Sequence, residues 1–251
     1  MKEEEHIYSS TNPAILRHIT KQKRILDIGC GSGYFSKKIM KKGNIVYGID
    51  SSKEAIALAT KRVNNAAICN IEQEEIPWKE KFDIIIFADV LEHLQAPEIV
   101  IKKCMKHLEN DGLIILSLPN IANWTIRIQL LFGNFDRSTT GILDKTHIHF
   151  YTLKTAKKLI EDSGLEMVGI DINPNFVMTI VRWLLRIIKK GPKMSEYEMI
   201  LESPLYRIYL QYIQPIEVFF ARFWKALFAY QFIFICKPGK AHSKLTSRKL
   251  L

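Results

Sequence analysis

The feature that most constrains the fold is a short strand followed by a glycine-rich turn and a helix near the amino terminus. Residues 25–28 are an apolar run, and they lead into the sequence GCGSG at 29–33. Tyr34–Met40 then shows the apolar spacing of a helix. Alternate glycines permit a tight turn and let a ligand approach the backbone where a Cβ would intrude. A strand, a glycine turn and a helix open a nucleotide-binding βαβ unit.

The glycine spacing narrows the class of ligand. A dinucleotide-binding loop, G-x-G-x-x-G, would need glycine where this chain has Tyr34. A Walker loop is excluded because no Gly-Lys-Ser/Thr follows. The stretch D-x-G-x-G-x-G, from Asp27 to Gly33, resembles motif I of the class I (Rossmann-like) S-adenosylmethionine-dependent methyltransferases. This resemblance implies S-adenosylmethionine as cofactor; a chance glycine turn is the alternative.

Further motifs extend the resemblance over roughly residues 20–172. One is F-D-x5-D-V-L-E-H-L at 82–94, another is S-L-P-N at 117–120, and a third is D-K-T-H at 144–147. They resemble a methyltransferase subgroup that is commonly found with glycan and small-molecule tailoring enzymes. Five apolar runs alternate with helical segments, which predicts an α/β, doubly wound sheet. The resemblance implies seven strands, the last one antiparallel.

The domain organisation follows from these motifs and from a shift in charge. Residues 173–251 hold 13 Lys and Arg against 4 Asp and Glu, so most of the net charge of +10 lies there. We predict a methyltransferase domain at 1–172 and 229–238, with its sixth strand at 165–172 and its seventh at 229–236. Between them lies an amphipathic helical insertion at 173–228, and a basic, disordered tail follows at 239–251.

Cofactor-binding residues are implied mostly by the resemblance. Asp50 ends the second strand 19 residues after Gly31, near the offset expected for a carboxylate on ribose hydroxyls. The alternative is that Asp50 caps the next helix. Asn70, in place of the usual Asp, and Ile71 are expected beside adenine. The other expected cofactor-binding residues are Asp27, Gly29, Cys30, Gly31, Gly33, Ser51, Asp89 and Val90.

The long polar loop at 133–152 holds the catalytic candidates. Imidazole titrates near neutral pH, so His147 and His149 are candidate acid–base groups, with His147 as base and Asp144 as its orienter. Alternatively, these histidines only hold the loop. Asn120 and Trp124 are expected to line the acceptor side.

A metal site is suggested by His-x-His in this loop but not supported by the rest of the sequence. We predict no metal, because no third ligand is evident and the four cysteines form no C-x-x-C pair.

The pattern of basic and aromatic residues in the insertion predicts that it lies at the surface of the protein. Residues 176–190 and 205–228 place Arg and Lys beside Trp, Phe and Leu, a pattern typical of helices in a membrane interface. Internal packing or a homodimer face is the alternative. Nucleic acid is not an expected partner. The acidic start lacks an apolar leader, and no run of about 18 apolar residues exists, so we expect a cytoplasmic protein, free or peripheral at the inner face of the membrane.

The expected function is methyl transfer to a small-molecule acceptor, with a glycan or lipid-linked glycan hydroxyl preferred. A quinone-precursor O-methyltransferase is the first alternative, since L-E-H-L also occurs in that group and an apolar lid suits a prenyl tail. A non-catalytic scaffold of the methyltransferase fold is the second. Cofactor binding without turnover would favour the scaffold, whereas loss of cofactor binding would exclude both enzymes.

Overall fold

A seven-stranded sheet organises the chain, with the strand order β3-β2-β1-β4-β5-β7-β6. The computed structural model describes residues 12–174 and 208–239. The acidic start, the segment 176–190, the first residues of the segment 205–228 and the tail beyond Gly239 therefore lie outside the described residues. Strands β1 to β5 pair in parallel, and β7 runs antiparallel to both β5 and β6. The strands are β1 Arg24–Ile28, β2 Ile45–Asp50, β3 Asn65–Ile68, β4 Phe82–Ala88, β5 Leu108–Pro119, β6 Leu165–Pro174 and β7 Ala229–Pro238.

Helices cover both faces of this sheet. In chain order they are α1 Pro13–Arg17, α2 Tyr34–Met40, α3 Lys53–Ala59, α4 Pro97–Met105, α5 Trp124–Leu131, α6 Leu153–Asp162, α7 Gln214–Ala221 and α8 Lys225–Phe228. A 3₁₀ turn, Leu91–His93, follows β4, and a π-helical turn, Tyr209–Ile213, leads into α7. Among the described residues, none of the helices is long and apolar enough to cross a membrane.

The central strands are buried on both faces, as their continuous apolar runs predict. In β4, Ile85 and Phe87 pack into the larger core cluster, whereas Ile84 and Ile86 pack into the second cluster. Because successive side chains of a strand point to opposite faces, these clusters are the two layers that flank the sheet. The prediction of a doubly wound α/β sheet with an antiparallel last strand is confirmed.

Some predicted boundaries were wrong. The apolar spacing of residues 99–108 favours a helix with a cap at 109–112, but α4 spans Pro97–Met105 and β5 already begins at Leu108. Pro97 lies at the start of the helix, where its missing N–H costs nothing. Leu108 pairs with Phe82 ahead of an irregularity in the β4–β5 register, so the strand starts early. The sequence of residues 66–72 favours a third strand, but β3 is shorter and lies at Asn65–Ile68.

The carboxyl edge of the sheet is where a ligand crevice is expected. The chain fills the sheet from β1 outwards to β3 and then crosses to β4 on the other side of β1. In such sheets ligands bind outside the strand ends at this switch point. Because β7 is antiparallel, its first residues also lie at this edge, with Gln231 paired to Pro119 at the end of β5.

The first helix, α1, is attached to β6, the strand at one edge of the sheet. Arg17 Nη2 lies 3.0 Å and His18 Nε2 3.1 Å from Asp171 Oδ2 in β6. Asp171 is itself buried, and although burial raises its pKa, the hydrogen bond from the Ile172 N–H and the Arg17 charge lower it overall. These contacts fix α1 across the end of the sheet.

Candidate active site

The glycine loop depends on conformations and spaces that other residues do not tolerate. Gly29, Gly31 and Gly33 have φ angles of +67°, +52° and +74°. A Cβ on Gly29 would lie 2.6 Å from Val90 Cγ2, and one on Gly33 would lie 3.1 Å from the Ala59 Cα. The loop is therefore packed between Val90, in the turn after β4, and helix α3. A contact between Val90 and the cofactor stays a prediction.

Asp50 is held in place by main-chain donors. The Gly31 N–H donates to Asp50 Oδ2 and the Ser52 N–H donates to Oδ1, each at 2.9 Å. The alternative reading of Asp50 as the helix cap is wrong, because Ser52 is the N-cap of α3 and its side chain accepts from the Ala55 N–H. Asp50 is half-buried and each oxygen retains a second lone pair, so it can still accept ribose hydroxyls.

Asp27 and Cys30 support the loop from inside the protein. Asp27 is only 1% exposed and accepts a hydrogen bond from the Ser36 hydroxyl in α2. Burial, assisted by the charge of Asp50, raises the pKa of Asp27 to about 7. The Cys30 thiol packs against Gly48 in β2, where an added Cβ would lie 2.7 Å from the sulfur, and burial raises its pKa. Contact between either side chain and a cofactor stays a prediction.

The two residues expected beside adenine follow β3. Asn70 is half-buried and its Oδ1 accepts from the Glu72 N–H at 3.1 Å, whereas Ile71 is buried. Their position after β3 leaves them at the carboxyl edge. The adenine contact stays a prediction.

Asp89 adopts a backbone conformation that is unusual for a non-glycine residue. Its φ is +57°, and such strain persists only where the surroundings hold it in place. The Ser117 hydroxyl donates to Oδ1 at 2.5 Å, and Gln231 Nε2 lies 2.9 and 2.8 Å from the two carboxylate oxygens. Burial raises the pKa of Asp89 despite these hydrogen bonds.

Sequence reasoning missed Ser117 and Gln231, although a signal was available. Each is a polar residue inside an apolar strand, in LIILSLP of β5 and AYQFIFIC of β7. A buried polar side chain needs a partner, so such an interruption indicates a contact. Here the two residues meet at Asp89.

The Asp89 network continues to the segment that precedes β7. Gln231 Oε1 accepts from Asn12 Nδ2 at 3.2 Å and from Asn173 Nδ2 at 3.1 Å. Gln214 of α7 in turn donates to Asn173 Oδ1 at 3.3 Å. Helices α1 and α7 are thus linked through side-chain amides to a carboxylate at the end of β4.

Asn120 joins β5 to the start of β7. It is fully buried, and its Nδ2 donates to the carbonyl oxygens of Ala229 at 2.8 Å and Ala226 at 3.0 Å. Its Oδ1 accepts from the Ala122 N–H. Trp124 is half-buried at the first residue of α5. Because the Asn120 amide already has main-chain partners, a contact between this residue and an acceptor stays a prediction.

His147 is held in the interior by the loop that carries it. It is 7% exposed, and its Nδ1 lies 3.1 Å from the Ile142 carbonyl oxygen. Its Nε2 lies 3.8 Å from Glu92 Oε1, and the ring packs edge-on against His93 with 4.8 Å between centroids. Burial, together with the neighbouring His93, lowers the pKa of His147. The candidate base is therefore accompanied by a buried carboxyl that the sequence analysis did not single out.

The side chains of the other two catalytic candidates have hydrogen-bond partners other than that ring. Asp144 Oδ1 accepts from the N–H and the hydroxyl of Thr146 at 2.8 and 2.7 Å. Burial raises the pKa of Asp144, but these hydrogen bonds lower it overall. His149 is half-buried, with Nε2 3.4 Å from the Gln95 carbonyl oxygen. The expectation that Asp144 orients the His147 ring is thus wrong in geometry, because the Ile142 carbonyl does so.

Groups that could hold a metal lie closer together in the structure than in the sequence. Glu92 and His93 lie beside His147, within reach of one ion, whereas His149 is not part of this group. Glu92 and His93 belong to the turn after β4, some 50 residues earlier in the chain.

These features define a class I methyltransferase fold with a glycine loop and an acidic residue at the end of β2. A sequence model of the methyltransferase domain family matches residues 5–170. The chain therefore belongs to the methyltransferase domain family, and the predicted enzyme class is confirmed at that level.

Similar proteins agree with this assignment. The chain is 36% identical over 125 residues to a ubiquinone biosynthesis O-methyltransferase of Glaesserella parasuis, covering 43% of this chain and 53% of the relative. A relative of the same description from Pasteurella multocida is 29% identical over 191 residues, covering 65% and 77%. A SAM-dependent methyltransferase from Methanosarcina mazei has the same fold, with a TM-score of 0.57 and 17% identity over 92% of this chain and 99% of that one. The chain spans about half the length of the first of these relatives.

Proposed function

We propose that this chain is an S-adenosylmethionine-dependent O-methyltransferase that acts on a hydroxyl of an apolar, quinone-type aromatic molecule. The observation that carries the proposal is the intact glycine loop with Asp50 in a chain whose curated relatives are named O-methyltransferases of ubiquinone biosynthesis. The relatives thus favour the alternative acceptor of the sequence analysis, and none of them supports the preferred glycan.

The cofactor would be held by the β1–β2 half of the carboxyl edge. S-adenosylmethionine supplies a methyl group that is already activated as a sulfonium. The Asp50 carboxylate would accept the ribose hydroxyls, and the glycine loop would lie against the methionine part. Asn70 and Ile71 would lie beside adenine. What remains for the protein is to align an acceptor oxygen with the methyl group and to exclude water.

The acceptor side is unusually apolar for an exposed surface. Leu131 and Phe132 at the end of α5 are 80% and 74% exposed, and Phe223 and Trp224 between α7 and α8 are 79% and 58% exposed. Helix α5 starts at the carboxyl edge, because its N-cap Asn123 donates to the Ala229 carbonyl, and α8 leads directly into β7. We infer that these apolar side chains contact the acceptor, and such contacts suit a prenylated aromatic molecule better than a sugar.

We also propose that this apolar surface contacts an anionic membrane surface, where such an acceptor would be found. Arg222 and Lys225 flank Phe223 and Trp224, and aromatic side chains with basic neighbours are typical of interfacial helices. The acidic residue of α7, Glu217, is buried and accepts a hydrogen bond from Tyr209. The exposed side of this segment is therefore apolar and basic. A homodimer face is the competing use of the same side chains.

The proposal can be tested by acceptor competition. Purified protein with radiolabelled S-adenosylmethionine would be offered a prenylated catechol, the same catechol without its prenyl chain, and a sugar hydroxyl acceptor. We expect transfer to the prenylated catechol, slower transfer to the unprenylated one, and none to the sugar. Transfer to the sugar alone would return the glycan acceptor to first place.

A binding measurement separates the remaining alternatives. Calorimetric titration with S-adenosylmethionine should give binding in the micromolar range, about −8 kcal/mol. Binding without transfer to any hydroxyl acceptor would favour the non-catalytic scaffold, and absence of binding would contradict the proposed function altogether.

A further inference from the structure

Glu92 is a buried acid without a hydrogen-bond donor. It lies in the 3₁₀ turn after β4 with 0% exposure, and neither carboxylate oxygen has a hydrogen-bond partner. Leaving a buried polar group unpaired costs about 1–3 kcal/mol, and more if it is charged. Burial and the charge of Asp89 raise the pKa of Glu92 well above its ordinary value. A buried carboxyl of this kind is paired either by a proton or by a cation.

The two nearest imidazoles cannot provide the donor as they are arranged. His93 Nδ1 lies 3.2 Å from the Thr146 carbonyl oxygen, and His147 Nδ1 lies 3.1 Å from the Ile142 carbonyl oxygen. A carbonyl oxygen only accepts, so each Nδ1 carries the hydrogen of a neutral ring. Each Nε2 is then left with a lone pair.

Those lone pairs and the carboxylate converge on one point. One ligand atom each from Glu92, His93 and His147 lies within 4.8 Å of the other two, and His147 Nε2 is 3.8 Å from Glu92 Oε1. A divalent cation at this point would pair with all three groups, whereas a proton on Glu92 could bond to only one of the two rings. We propose that Glu92, His93 and His147 form a binding site for a divalent transition-metal ion.

The surroundings of these ligands match a metal site. Metal-binding histidines almost always donate their other ring N–H to a carbonyl or carboxylate, which fixes the tautomer. Both rings do so here. The turn and the loop are also joined directly, because the Ile148 and His149 N–H groups donate to the Glu92 carbonyl oxygen at 2.9 and 3.1 Å. The three ligands are therefore held together by main-chain contacts before any ion binds.

The ligand set indicates which ion. Two imidazoles and one carboxylate favour zinc, iron, manganese or cobalt over magnesium and calcium, which prefer oxygen ligands only. Metal–nitrogen distances of about 2.0–2.1 Å require the ligand atoms to approach by roughly an ångström. His93 is exposed, so one side of the site faces solvent and leaves a coordination position for water or a hydroxyl, whose pKa the ion would lower. The site goes beyond the proposed function and does not depend on it.

Cobalt is a suitable probe because its absorption reports coordination directly. The full chain, stripped with a chelator, would be titrated with Co²⁺ while visible absorption and calorimetric heat are recorded. We expect ligand-field bands and saturable binding with one ion per chain. His147→Asn and Glu92→Gln should weaken binding at least tenfold. His149→Asn is the matched control in the same loop, and its affinity should stay within about twofold of wild type.

His93→Asn gives a second test, at a ligand that is exposed to solvent. It should also weaken Co²⁺ binding at least tenfold. A wild-type chain that shows no bands would overturn the proposal, as would equal losses in the His147 and His149 variants. Those results would leave a proton shared between Glu92 and His147 as the occupant of this cluster.

Discussion

The two halves of the carboxyl edge differ in how their acids are held. In the β1–β2 half, Asp50 accepts from two main-chain N–H groups and Asp27 accepts from Ser36. In the half built by the β4 turn and the loop at 138–149, Glu92 has no donor for either oxygen. Both acids of the first half are hydrogen-bonded within the chain. The acid of the second half, Glu92, is not.

This difference affects the free energy that each half of the edge gains when it binds a ligand. A carboxylate already fixed by the backbone needs no reorganisation before it accepts a hydroxyl, so binding costs little conformational entropy. An unpaired buried carboxyl raises the energy of the free protein, and a ligand that pairs with it removes that cost. We therefore expect substitutions in the first half to act on folding and cofactor affinity, and those in the second to act on ligand binding by the loop.

The largest effect on the free energy of unfolding should come from replacing Asp27, the buried acid of the first half, which accepts from the Ser36 hydroxyl. The raised pKa of Asp27 means that the folded chain retains a proton that the unfolded chain releases between about pH 4 and 7. The free energy of unfolding of the wild type should therefore fall as pH rises through this window. Asp27→Asn removes the effect, so its stability advantage should grow to as much as about 4 kcal/mol above pH 7.

Urea unfolding of both proteins across this pH range measures the difference. A stability gap that does not change with pH would mean that Asp27 is not the titrating group. The measurement is made without S-adenosylmethionine, because the positive charge of its sulfonium would alter the protonation of Asp27.

The second effect tests how tightly the glycine loop is packed. Gly29→Ala places a methyl group against Val90 in a left-handed conformation, and we expect a loss of about 3 kcal/mol in stability. Gly43→Ala is the matched control, because its φ is +88° but nothing lies within 4 Å of the added Cβ. Its loss should be only about 1 kcal/mol. Adding Val90→Ala to the Gly29 variant should restore part of the difference, and equal losses in the two alanine variants would contradict the close packing.

Asp50→Ala should weaken S-adenosylmethionine binding at least tenfold, about 1.4 kcal/mol, because the ribose hydroxyls lose their acceptor. Calorimetric titration measures it, with Glu161→Ala, an exposed acid in α6, as the control. Unchanged affinity in the Asp50 variant would place the cofactor elsewhere along the edge.

The smallest effect on stability should come from the apolar surface. Phe223→Ser removes an exposed side chain, so the free energy of unfolding should change by no more than about 0.5 kcal/mol. Binding to anionic vesicles should nevertheless fall several-fold, as measured by co-sedimentation, and should be weaker on neutral vesicles. If the variant instead changes the oligomeric mass in solution, the surface is a dimer face.

The two halves of the edge also differ in how much of each could be predicted from the sequence. The glycine loop, Asp50 and the first five strands follow from short-range patterns, since the residues that define each pattern lie within about 20 positions of one another. The antiparallel seventh strand was expected from the family resemblance. The Glu92 cluster joins residues more than 50 positions apart, and no periodicity indicates which turn a loop will meet. The Asp89–Gln231 contact spans 142 positions. The early start of β5 was missed because an acidic and glycine-containing stretch, 109–112, reads locally as a turn.

The pairing of Pro174 with Ala229 has a consequence for how such a chain can change over time. The segment between β6 and β7 leaves the sheet and returns to it at neighbouring positions on the crevice edge. We therefore expect that the length of this segment can change while the strand order and the glycine loop stay as they are, provided that Asn173 and Gln231 still connect to Asp89.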